Sequence, residues 1–216
     1  MGSFGKYIVI EGGDGCGKTT QARLLEGYLK KSHDVIVTRE PGGSEFSERI
    51  REILKDPALN KFLDPLTEFL LFSAARSALY RTEVKPALEQ GRIVVSDRND
   101  LSSHVYQGIV GGVSIELISA VSANILNKNN IPIKPDCGII INPITINSDQ
   151  IKKLIEEDSK KSDRFHHKGL EYHLKVYKAY EEVAKQRGFH IVRYREGDIE
   201  VMQQEIRKYV DSILEQ

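Results

Sequence analysis

The sequence predicts an α/β protein in which a parallel sheet lies between layers of helix. Three observations carry that prediction. Five short Val/Ile-rich runs recur along the chain without polar alternation, as strands covered on both faces do. Helical patterns separate these runs. A glycine-rich segment joins the first run to the first helix.

The strand candidates are Tyr7-Ile8-Val9-Ile10, Val35-Ile36-Val37-Thr38, Arg92-Ile93-Val94-Val95-Ser96, Gly138-Ile139-Ile140-Ile141 and His190-Ile191-Val192-Arg193. The first helix is expected over 19–31, with Leu24, Leu25, Tyr28 and Leu29 on one face. The second covers 45–55 and carries Phe46, Ile50, Ile53 and Leu54. A long apolar pattern follows over 65–89, then helices over 114–128, 169–187 and 198–214. Residues 149–168 stand apart. Lys152, Lys153, Lys160, Lys161, Arg164 and Lys168 lie among acids and serines, which reads as a short charged helix and an exposed loop. Composition leaves two readings open for it, a solvated face or a lid over a polyphosphate.

The 216 residues suit a single domain. Lysine plus arginine (31) equals aspartate plus glutamate (31), so there is no broad basic footprint for nucleic acid and any phosphate-binding charge must be local. No apolar run is long enough to span a bilayer. The start, Met1-Gly2-Ser3-Phe4-Gly5-Lys6, has no signal-peptide pattern, and Lys6 breaks the myristoylation pattern. Cys16 and Cys137 make no disulfide framework, so a reducing cytoplasm is expected.

Gly12-Gly13-Asp14-Gly15-Cys16-Gly17-Lys18-Thr19 fits G-x-x-x-x-G-K-[ST] at every fixed position, between a strand and a helix. Glycines let backbone N–H groups wrap a phosphate, and the helix start adds the positive end of its dipole. Lys18 suits the β- and γ-phosphates and Thr19 suits Mg²⁺, with Thr20 beside them on the first helical turn. The motif specifies a nucleoside triphosphate and leaves the reaction open. Cys16 fills a variable position. The guanine-reading Asn-Lys-x-Asp segment is missing, since Asn127-Lys128-Asn129-Asn130 lacks the aspartate.

Four further segments are similar to the bacterial thymidylate kinases, a branch of the P-loop nucleoside-monophosphate kinases. Thr38-Arg39-Glu40-Pro41-Gly42-Gly43-Ser44 resembles their T-R-E-P-G-G-[ST] signature. Leu70-Leu71-Phe72-Ser73-Ala74-Ala75-Arg76 resembles L-L-F-x-A-x-R. Asp97-Arg98, Ser102-Ser103 and Tyr106-Gln107-Gly108 resemble the D-R-Y-x-x-S-x-x-A-Y-Q-G segment, and Asp163-Arg164-Phe165 resembles the lid's D-R-F-E. The resemblance implies a three-layer P-loop fold, with a five-stranded parallel sheet flanked by helices, a short lid and a homodimer. It implies transfer of the γ-phosphoryl group of ATP to dTMP with Mg²⁺. Two other readings stand beside it: a related kinase with another acceptor, and a regulatory ATPase, which would need no second set of acceptor-binding residues.

By the same resemblance Arg98 contacts the dTMP phosphate, Asp97 joins Thr19 in the metal shell, and Asp14 approaches the dTMP sugar and phosphate. Arg164 supplies lid charge, because Gly15 stands where one class of the family has arginine. Arg51 and Arg39 lie near the acceptor phosphate. Phe72 stacks on thymine and Arg76, four residues on and so on the same helix face, donates to its O4. Ser102, Tyr106 and Gln107 complete the acceptor site, with Tyr106 crowding the sugar 2′ position and Gln107 on the base edge. The chain departs from the family pattern at Asn99, Leu101, Asn142 and His166.

Overall fold

A computed structural model describes residues 4–129, 131, 134–143, 148–158 and 168–215. Five strands, β1 (Tyr7–Gly12), β2 (Val35–Arg39), β3 (Ile93–Asp97), β4 (Cys137–Pro143) and β5 (His190–Tyr194), form one sheet in the order β2-β3-β1-β4-β5. Every pairing is parallel. The alternation of side chains along a strand sends Ile8 and Ile10 to one face of β1, and Tyr7 and Val9 to the other. On the first face they meet α1 (Lys18–Leu29) through Leu25 and Leu29, and α9 (Ile199–Leu214) through Met202, Ile206 and Val210. On the second they meet Leu79, Tyr80, Val84 and Leu88.

α2 (Glu45–Lys55) buries Ile50 and Leu54 but leaves Phe46 and Ile53 exposed, so its expected apolar set divides between two faces. The long pattern over 65–89 is α3 (Pro65–Leu79), a π-helical turn (Tyr80–Val84) and α4 (Lys85–Glu89). Pro86 accounts for the change of winding: it has no N–H to donate to the preceding turn, and a wider turn accommodates its ring. A short α5 (Asp100–Ser103) runs into a second π-helical stretch (His104–Val110), and neither was expected from the sequence pattern. α6 (Ile115–Lys128), α7 (Ser148–Asp158) and α8 (Leu170–Arg187) complete the α-helices described, and a 3-10 helix covers Pro57–Phe62.

α7 covers the charged helix expected at the start of the 149–168 segment. Its Ile151 and Leu154 are buried with Cys16 and Tyr177, so one face is docked while Lys152 and Lys153 stay exposed. Lys160, Lys161, Arg164 and His166 lie outside the described residues.

Candidate active site

β1, β2 and β3 all end at the same edge of the sheet, where Ile10 and Arg39 are each in register with Asp97. Ligands of open α/β sheets bind outside this carboxyl edge. A cavity of about 440 Å³ lies there. Of the expected site residues that are described, its wall takes in all except Gly12, Gly13 and Cys16, which are buried behind it; Arg164 lies outside the described residues.

The glycine-rich loop is built by close approach. A β-carbon on Gly13 would sit 2.4 Å from the ring of Tyr177, whose hydroxyl donates to the Asp14 carbonyl at 2.6 Å. α7 presses equally close on the other side, since a β-carbon on Gly15 would meet the Leu154 carbonyl oxygen at 2.5 Å. Gly17, left-handed at φ 81°, precedes α1 and offers no side chain to cap it. The first-turn N–H groups therefore have no capping side chain, the usual arrangement at an anion-binding helix start. Lys18 Nζ donates to the Gly13 carbonyl. Cys16 donates its thiol to the same oxygen at 3.0 Å, and burial pushes its pKa up against the pull of Lys18 and Arg98, which disfavours the thiolate.

Arg98 joins the two halves of the cavity. It follows β3 in the left-handed region, at φ 77°, where a non-glycine residue is under strain. Nη1 donates to Gly12 O (3.0 Å), Ser102 Oγ (3.0 Å) and Tyr180 Oη (3.1 Å). Nη2 donates to Asp14 Oδ1 (2.7 Å) and, at 3.4 Å, to Tyr106 Oη. Tyr106 in turn donates to Asp14 Oδ2 at 3.1 Å. Burial works against the Arg98 charge, yet Tyr106, Tyr180, Asp14 and Glu11 raise its pKa further. The expected Asp14, Arg98, Ser102 and Tyr106 thus form one connected cluster.

Thr19 Oγ1 donates to Asp97 Oδ2 at 2.5 Å, which puts a hydroxyl and a carboxylate side by side on the cavity wall. Arg51 Nη1 donates to Pro41 O at 2.6 Å, and burial, with Arg39 nearby, lowers its pKa. Arg39 is more exposed, and its Nη2 donates to both oxygens of Glu48, each at 3.0 Å. Phe72 and Arg76 both line the cavity from α3. Gln107 also lines it, with Nε2 donating to Glu68 at 2.9 Å, so its amide nitrogen already has a protein partner.

The family model for thymidylate kinase matches residues 10–206. The chain belongs to the thymidylate kinase family. It is 42% identical over 214 residues to a thymidylate kinase of Caldicellulosiruptor saccharolyticus, covering 97% of this chain and 98% of that one. A Thermoanaerobacter thymidylate kinase is 38% identical over 183 residues, 84% of this chain and 85% of the relative. Among solved structures, the thymidylate kinase of Ehrlichia chaffeensis superposes with a TM-score of 0.73 at 30% identity, covering 98% of this chain and 99% of that one.

Two departures from the family pattern have local explanations. Asn99 caps α5, its side chain accepting from Leu101 N at 2.9 Å, which a tyrosine could not do. Asn142 is buried and donates to Glu181 Oε2 at 2.9 Å, a contact for which an aspartate would bring a like charge.

One residue that sequence reasoning missed is Glu11. It is fully buried at the end of β1 and accepts from Asn99 N (2.8 Å), Ser102 N (3.0 Å), Ser102 Oγ (2.8 Å) and Tyr180 Oη (2.8 Å), with Arg98 Nη1 at 3.8 Å. Burial raises its pKa, and Arg98 and these donors pull it back. A lone acid closing an apolar strand was the available signal.

Proposed function

We propose that the chain transfers the γ-phosphoryl group of ATP to dTMP, giving dTDP and ADP. Family membership supports the reaction. The observation that carries it is Arg98, hydrogen-bonded to the glycine-rich loop on one side while it lines the acceptor side of the same cavity. Phosphoryl transfer asks chiefly for alignment and charge neutralisation. In this reading the loop amides and Lys18 hold the ATP phosphates. Arg98 and Arg51 draw the dTMP phosphate towards them, with Arg39 at the rim. Asp14, anchored by Arg98 and Tyr106, faces the sugar and phosphate of dTMP. Phe72 and Arg76 hold the thymine, and Ser102, Tyr106 and Gln107 shape the rest of the pocket. Arg164 adds charge from the lid.

Thr19 and Asp97 supply hard oxygen donors next to the loop, a set that fits Mg²⁺, which keeps waters and phosphate oxygens as its other ligands. When bound, the ion would neutralise charge on the phosphates.

We also propose one kinase domain over 1–216, acting as a homodimer in the cytoplasm. α2 contacts α3, and α3 contacts α6. These helices expose Phe46, Ile53, Leu66, Leu70 and Leu117, an apolar set suited to a second copy of the chain. Sedimentation should give a dimer in the wild type and a monomer in Leu70→Asp; a wild-type monomer would reject the dimer. No helix of the described residues is long and apolar enough to cross a membrane, and both cysteines are free and buried, which supports a reducing compartment.

The decisive experiment is an ADP-release assay with Mg-ATP and a panel of nucleoside monophosphates at equal concentration. Strong turnover with dTMP, and little with dCMP, AMP or GMP, is expected. Turnover with a different acceptor would overturn the thymine pocket, and ATP consumption indifferent to every acceptor would favour a regulatory ATPase.

A further inference from the structure

Arg76 is 2% exposed, and its nitrogens are unequally engaged. Nε donates to Glu40 Oε2 at 2.6 Å. Nη2 donates to Asn99 O at 3.1 Å and Ser103 Oγ at 3.2 Å. Nη1 is buried and has no hydrogen-bond partner among the described residues, although Arg76 lines the cavity. A buried guanidinium nitrogen without an acceptor is costly unless a ligand supplies one. Two sides of the fork are therefore fixed by protein and the third is left for the bound molecule.

Of the anchors, Glu40 alone offers a carboxyl group; burial pushes its pKa up to about 7, and the Arg76 guanidinium pulls against that. Glu40 directly follows β2, its own N–H donates to Asp97 O at 2.9 Å, and it is 5% exposed. That backbone bond ties it to the end of β3, next to Arg98. The other anchors, Asn99 and Ser103, come from the segment after β3. Glu40 thus sets the rotation of the guanidinium from the opposite side, through a charge-assisted bond.

We propose that Glu40 is a positioning residue for acceptor specificity: its carboxylate locks Arg76 so that Nη1 meets a carbonyl oxygen at ring position 4 of the bound pyrimidine. The proposal rests on the dTMP reading above. A guanidinium donates and cannot accept, so a ring carbonyl suits Nη1 and a ring amino group does not. With Nε held by Glu40, the fork cannot rotate to relieve a mismatch.

The test compares binding of dTMP with binding of its 4-deoxy analogue, the 5-methyl-2-pyrimidinone deoxyribonucleotide, by calorimetry. The wild type should prefer dTMP by about 30-fold, the loss expected when a buried donor is left unmatched. Glu40→Ala should bring the ratio to about 3-fold or less while the KM for ATP holds, because an unanchored guanidinium no longer presents Nη1. Glu40→Gln, which keeps a neutral acceptor for Nε, should give an intermediate ratio. Glu40→Ala/Arg76→Ala should match Arg76→Ala, since the glutamate acts through the arginine. A wild-type ratio in Glu40→Ala, or equal weakening of dTMP, analogue and ATP, overturns the proposal and makes Glu40 structural. If circular dichroism shows Glu40→Ala unfolded, Glu40→Gln decides: a lowered ratio supports the proposal and an unchanged one overturns it. A wild type that does not discriminate, or an Arg76→Ala protein that keeps the ratio, removes the underlying reading of Arg76 instead.

Discussion

Replacing Arg98 by lysine isolates the geometry of its fork from its charge. Both residues bear the same left-handed backbone strain, so that cost cancels. Both keep a cation beside Asp14 and Glu11, whereas alanine would strand two carboxylates, at a cost of about 3–5 kcal/mol in stability. The loss is in reach. Arg98 serves Gly12, Ser102 and Tyr180 from Nη1 and Asp14 from Nη2 at the same time. A single ammonium keeps one of these sets. Forfeiting one hydrogen bond to a charged group costs about 1.5–3 kcal/mol. Each 1.4 kcal/mol is about tenfold, so kcat with dTMP should fall about 10- to 100-fold. The assay is ADP release at saturating Mg-ATP, alongside thermal denaturation to show an intact fold. A kcat within about threefold of wild type, at unchanged KM for dTMP, would show that the cation suffices and refute the reasoning from the fork.

Gly13→Ala drives a methyl into the Tyr177 ring and strains the bond from its hydroxyl to Asp14 O; stability should fall by about 1–3 kcal/mol with a raised KM for ATP, and Tyr177→Leu should recover part of both. An unchanged melting temperature in Gly13→Ala would contradict the close approach. The Glu181–Arg193 pair predicts an acid effect. The Arg193 fork (2.8 Å to each oxygen) lowers the Glu181 pKa below its unfolded value, so its stabilisation is present above the ordinary carboxylate range and is lost as pH falls through the lowered pKa. Glu181→Gln should flatten the melting temperature's dependence on pH below about 4.3; parallel curves for the two proteins would rule the pair out as a contributor.

What the chain order revealed and what it hid follow one division. The Val/Ile runs became strands because continuous apolarity is a local signal, and the glycine-rich loop was legible because its spacing is local too. Pro86 was visible, but the π-helical turn it needs was not, because apolar periodicity does not report which carbonyl each N–H reaches. α5 is four residues long, too short for any period to mark. Phe46 and Ile53 looked like part of one apolar face with Ile50 and Leu54, since a helical wheel cannot tell a core face from an exposed one. Glu11 and Glu40 were hardest to read. Their donors come from Asn99, Ser102 and Tyr180 in one case and Arg76 in the other, and that convergence exists only once the sheet has formed.

With the sites assigned as proposed, the bonds from Arg98 to Gly12 O and Asp14 couple the two nucleotide sites thermodynamically. A ligand that draws Arg98 towards an incoming phosphate changes the partners of the loop that cradles the other nucleotide, and the reverse is equally true. Reciprocity then holds: whatever factor one nucleotide imposes on the affinity of the other is returned unchanged in the opposite direction. Two substrates that repel each other by charge would thus communicate through a shared cation as well as through space, and the chain could favour their joint occupancy without any domain having to move.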